Sequence, residues 1–113
     1  DADSKRFSPS LRLTLWTGLG SLLDLPESLK RAEVDLISQK GLASETDLVV
    51  LQKIYFVIGK HASMDFLPFL VAILLDEGRD DVVRSLSLTA ISKMSARLPN
   101  VSNNPFSYLF CST

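Results

Sequence analysis

"FLPFLVAILLDEGRDDVVRSL", residues 66–86, begins apolar and turns abruptly charged. Phe66 to Leu75 is a run of ten apolar residues with one proline among them. A helix that spans a bilayer needs ~20 apolar residues, so the run is about half a span and reads as a helix buried in protein. Asp65 stands where an N-cap belongs, and Pro68 falls in the first turn, where a missing N–H costs least. Gly78 is expected to end that helix after Asp76 and Glu77, and Asp80 or Asp81 to cap the next. The stretch therefore predicts a helical hairpin closed by a short acidic turn.

The second arm of that hairpin is expected from Asp81 to about Leu98, with Pro99 as its stop. Val83, Leu86, Ala90, Ile91, Met94 and Leu98 line one arc, with Ser87 among them. Arg84, Ser85, Thr89, Ser92, Lys93 and Ser95 line the other. Leu88 projects into this polar arc.

Upstream, "SETDLVVLQKIYFVIGKHAS", residues 44–63, opens with Ser44 and Asp47 at capping-box spacing. Leu48, Val50, Leu51, Ile54, Tyr55, Val57 and Ile58 fill more than half of its helical wheel. Val49 and Phe56 appear on the remaining side, beside Gln52, Lys53 and Lys60. A helix apolar nearly all round is buried nearly all round, so this one, third in order, is expected at the centre.

The helix before it is expected from Pro26 to Lys40, with Gly41 as its stop and Leu29, Ala32, Val34, Leu36 and Ile37 facing inward. The first helix is expected to start with Ser8 as N-cap and Pro9 at its first position. Leu11, Leu15, Trp16, Leu19, Leu22 and Leu23 would form its inner face. Gly18 and Gly20 weaken that helix or let a neighbour come close.

These segments sum to an all-α fold: a compact bundle of five to six helices, arranged as helical hairpins around the third. Residues 1–7 are expected to be a tail, 8–99 the helical domain, and 100–113 a C-terminal tail or short docking helix. With 113 residues and a hydrophobic fraction of 46%, the chain can bury a core without metals or disulfides. It begins at Asp1 rather than methionine, as expected of a fragment or a processed product.

Lys plus Arg is 12 and Asp plus Glu is 13, a formal charge of −1. A nucleic-acid binder usually shows a basic excess or stripe, and this sequence shows neither. The single cysteine, Cys111, has no partner for an internal disulfide. That fits an intracellular setting, cytoplasmic or nuclear. No membrane span is expected.

Candidates for chemistry are sparse. His61 is the one histidine, and its place at a helix C-terminus, where a cation is favourable, accounts for it. No serine or cysteine is spaced to complete a catalytic constellation with it. Asp76, Glu77, Asp80 and Asp81 are bunched around Arg79 and lack the alternating oxygens of a calcium loop. "TGLGS", residues 17–21, lacks the strand and lysine of a phosphate loop. No catalytic residue, metal or cofactor is expected.

"DFLPFLVAILLDEGRDDVVRSLSLTAISKM", residues 65–94, resembles a repeat of the HEAT and armadillo class. It has a helix with proline near its start, a short acidic turn and a second helix. Within it, "DVVRSLSLTAI", residues 81–91, is similar to the repeat's run of aspartate, valine-arginine, then small residues. The resemblance implies structural turn contacts for Asp81 and Arg84, and a scaffolding, partner-binding role. It is carried mainly by residues 64–98; in the preceding unit Val50 stands in place of the arginine, and Lys53 and Phe56 in place of small residues. The helix order from "SLRLTL" onward is also similar to the C-terminal domain of filoviral transcription factors, without a diagnostic motif.

The function expected is therefore non-enzymatic: a protein-protein interaction or scaffold domain presenting a helix face or groove to a protein or peptide segment. Val49, Phe56, Leu88, Phe106, Tyr108 and Phe110 are the candidate contact residues. Two alternatives stand beside it. One is a helical domain of a viral replication or nucleocapsid-associated protein that binds a nucleoprotein. The other is a non-catalytic fragment of an enzyme.

Overall fold

The computed structural model describes residues 7–25 and 31–97. These form five α-helices: α1 (Pro9–Leu23), α2 (Arg31–Ser44), α3 (Leu48–His61), α4 (Leu67–Leu75) and α5 (Asp81–Ala96). A single 3-10 turn, Met64–Phe66, leads into α4. The fold is an all-α bundle in which α1, α2 and α5 each pack on α3, while α4 packs on α5. The expected stop at Pro99, the expected start at Pro26, and Phe106, Tyr108 and Phe110 lie outside the described residues.

The central place of α3 follows from its side chains. Val50, Leu51, Ile54, Tyr55, Val57, Ile58 and Gly59 are all buried. Each large apolar side chain so buried contributes roughly 1.5–3 kcal/mol relative to leaving it exposed. Around Ile54 and Ile58 gather Phe66, Leu70, Ile91 and Met94. A second, smaller cluster joins Val57 to Leu23 and Val34, and Trp16 packs against both clusters.

Several helix ends differ from the sequence expectation. Helix α2 runs through Gly41 to Ser44, so Gly41 is no stop. A Cβ built at Gly41 would lie 2.4 Å from Cζ2 of Trp16; the glycine is the seat on which the indole rests. Ser44 caps nothing: it is the last residue of α2, and its hydroxyl donates to the Lys40 carbonyl at 3.1 Å. Asp47 is the cap of α3, accepting from the N–H groups of Val49 (3.0 Å) and Val50 (3.2 Å).

Ser63, rather than Asp65, opens the next segment, its hydroxyl accepting from the Asp65 N–H at 3.2 Å. Pro68 does fall in the first turn of α4. That helix ends at Leu75, and Asp76 closes the turn by accepting from the Gly78 N–H at 3.0 Å. Asp80 then caps α5 through the Val82 N–H at 2.8 Å.

Helix α1 shows the largest difference. Its inward residues are Leu13, Trp16, Leu19 and Leu23, whereas Leu11, Leu15 and Leu22 face outward. Leu36 of α2 and Leu48 of α3, both expected inside, are also exposed. Ser95, assigned to the polar arc of α5, is buried.

Candidate interaction surfaces

The hairpin α4–α5 is tied together by polar groups from α5. Ser87 is fully buried and donates to the Leu70 carbonyl at 2.7 Å. The Arg84 Nε donates to the Leu74 carbonyl at 2.8 Å, and its Nη1 lies 3.5 Å from Asp81 Oδ1. Asp81 and Arg84 thus stand at the turn, and the guanidinium satisfies a carbonyl that the helix end leaves open. At the far end of α5, Arg97 donates to the carbonyls of Lys60 and Ala62, covering the C-terminus of α3.

Between α2, α3, α4 and α5 lies a cleft of about 470 Å³. Leu42, Leu51, Tyr55, Phe69, Ile73 and Val83 supply its apolar walls. Gln39, Glu45 and Arg79 supply its polar groups. Burial pushes the Tyr55 phenol up, and the charge of Arg79 opposes that shift. The volume falls in the ordinary range for a ligand or side-chain pocket. Apart from Leu42, its walls read as core positions in the sequence, because a concave surface uses the same apolar residues as the interior beneath it.

A second, smaller recess of about 130 Å³ opens between α1 and α3. Thr17, Gly20 and Ser21 form one wall; Lys53, Phe56, Val57 and Lys60 form the other. Asp24 and His61 stand at its end, with His61 Nε2 at 3.2 Å and Lys60 Nζ at 3.0 Å from Asp24 Oδ1. The hydrogen bond from Lys60, together with the nearby charge of Lys60 and His61, outweighs burial and holds the Asp24 carboxyl below its ordinary value.

Phe56 is 42% exposed in this recess, and three ammonium groups surround its ring. Lys93 Nζ lies 4.1 Å from the ring centroid, Lys53 Nζ 4.9 Å and Lys60 Nζ 6.0 Å. Lys93 reaches the ring from another helix because α5 crosses α3 at Gly59. A Cβ there would stand 3.0 Å from Cβ and Cδ of Lys93. The only signal for that crossing in the sequence is one glycine in an otherwise bulky helix.

Val49 is exposed and shares the outer stripe of α3 with Phe56, seven residues on. Leu88 is exposed too, but it lies five residues before Lys93 and so about 140° away around α5. The fold therefore joins Val49 and Phe56 on one face and turns Leu88 to another. Phe106, Tyr108 and Phe110 lie outside the described residues.

A third feature is the outer stripe of α1. Leu15 and Leu22 are 52% and 60% exposed, Leu11 joins them, and Gly18 between them has open space around it. The acidic turn of residues 76–81 uses its aspartates locally, in the caps described above and in pairs of Asp76 with Arg79 and Asp81 with Arg84. Among the described residues, no three His, Cys, Asp or Glu side chains stand close enough to hold a metal ion. Nor is any described helix long and apolar enough to cross a membrane. Comparison with protein-family models, curated proteins and solved structures finds no match.

Proposed function

We propose that this chain is a non-enzymatic protein-protein interaction domain, part of a larger scaffold, that presents a helix face and a groove to a partner protein. The observation that carries this reading is the stripe of Leu11, Leu15 and Leu22, apolar at helical spacing yet directed away from the core. Single exposed leucines are unremarkable, but an aligned set marks a surface that gains by being covered. The cleft of about 470 Å³, walled by Phe69 and Tyr55, supplies the groove. A partner helix with anchors at helical spacing fits the first, and an extended segment with one large apolar side chain fits the second. The single cysteine supports an intracellular setting for this module.

Panning a phage-displayed random peptide library on the full chain tests the proposal. Enriched peptides are expected to shift backbone amide resonances along α1 or around the cleft. Leu15→Glu is expected to weaken stripe binders by about tenfold or more, and Phe69→Asp cleft binders likewise. Both side chains are exposed, so both variants should keep their helical circular dichroism. Failure to enrich any peptide, or binders that touch neither surface, overturns the proposal.

A further inference from the structure

We propose that Lys53, Lys60 and Lys93, gathered around the ring of Phe56, form a docking point for an acidic peptide segment. The segment would place its carboxylates against the ammonium groups. This goes beyond the leucine stripe and the cleft, since it names a separate surface and the chemistry that fits it.

The charge is the first argument. Cation–π pairs occur roughly once per 70–80 residues, so three on one ring exceed what a chain of 113 residues ordinarily carries. Lys60 has Asp24 as a counter-ion at 3.0 Å. Among the described residues, Lys53 and Lys93 have no carboxylate at ion-pair distance. Three ammonium groups thus meet one carboxylate, in a chain whose formal charge is −1. Holding like charges together is unfavourable, and the cost is relieved by an anion at the site.

The shape of the recess selects the class of anion. The lysines surround one ring instead of running along a groove, so they match one or two acidic groups and not a polyphosphate backbone. Lys93 and Lys53 already stand over the ring, where a stacking base would have to displace them. The recess of about 130 Å³ beside it is lined mostly by polar and charged side chains, Thr17, Ser21, Lys53 and Lys60 among them, so it suits a polar segment.

The probe is a short synthetic glutamate-rich peptide, labelled for fluorescence anisotropy and added to the full chain at low salt. Saturable binding is expected, weakening as salt rises. It should shift amide resonances at Lys53, Phe56, Val57, Lys60 and Lys93. The pair Lys53→Glu and Lys93→Glu should lower affinity by about tenfold or more. Lys40→Glu, exposed on α2 and part of none of these surfaces, should leave it unchanged. The wild-type shifts and salt dependence stand as a readout even if the double variant folds poorly. No saturable binding, binding indifferent to salt and to both charge reversals, or binding of a single-stranded oligonucleotide with none of the peptide overturns the proposal.

Discussion

Arg12 of α1 grips Glu45, between α2 and α3, through two parallel hydrogen bonds: Nε to Oε1 at 2.8 Å and Nη2 to Oε2 at 2.9 Å. Glu45 Oε2 also accepts from the N–H groups of Thr46 at 3.2 Å and Asp47 at 2.9 Å. One carboxylate therefore closes the α2–α3 connection and anchors α1 across it. Burial raises the Glu45 pKa, but the bonds from Arg12 and from the two backbone N–H groups outweigh it, and the carboxyl lies below its ordinary value. Arg12 is correspondingly raised, chiefly by its hydrogen bond to Glu45.

This pair predicts an acid-sensitive tether. A carboxyl with a depressed folded pKa contributes stability above its unfolded pKa of about 4.3 and loses it as pH falls through the lower folded value. Glu45→Gln removes the charge and is expected to cost about 1–3 kcal/mol near neutral pH. It should also flatten the decline in stability below about pH 4.3. Urea melts at a series of pH values check this; equal slopes in both proteins would count against the tether.

Two glycines, one on α1 and one on α2, should respond oppositely to alanine. Gly18 has nothing within 4 Å of where a Cβ would stand, so Gly18→Ala is expected to stabilise by up to about 1 kcal/mol through helix propensity. Gly41→Ala has the same propensity gain but forces the Trp16 ring off its seat, and a net loss of about 1–3 kcal/mol is expected. Tryptophan fluorescence should shift for Gly41→Ala alone.

Three buried serines divide in the same way. Ser38 and Ser95 hydroxyls are enclosed without a hydrogen-bond partner, whereas Ser87 donates to the Leu70 carbonyl. Ser38→Ala and Ser95→Ala are expected to be neutral or to stabilise by about 1 kcal/mol. Ser87→Ala should destabilise by about 1 kcal/mol. Thermal melts of the three variants decide the matter, and a loss at Ser38 matching that at Ser87 would contradict it.

The start of α3 offers a fourth test. Asp47→Ala should cost about 1 kcal/mol because it uncaps two N–H groups of the most buried helix. Ser44→Ala should be nearly neutral, since that hydroxyl only doubles a bond to the Lys40 carbonyl. Comparable losses in chemical denaturation would return the cap to Ser44.

The candidate surfaces were only partly legible in the sequence. Val49 and Phe56 stand out as apolar residues on a polar arc, and both are exposed on one stripe of α3. Lys53 and Lys60 share that arc with Phe56, but the third lysine was not legible, because Lys93 joins them only where Gly59 lets α5 cross. Leu88 shares the same local signature yet faces another way.

By itself the sequence determined that the chain is helical, that residues 66–86 turn back on themselves, and that α3 lies innermost. Apolar spacing, caps and prolines act within a few residues, so local order carries them. Only the tertiary structure decided which side of α1 is buried. Leucines at 11, 13, 15, 19, 22 and 23 spread over roughly 200° of that helix, a wider arc than one contact covers, so periodicity alone does not fix which part is buried. The face is chosen by the seat Gly41 leaves for Trp16 and by Arg12 reaching Glu45, both contacts with residues far along the chain.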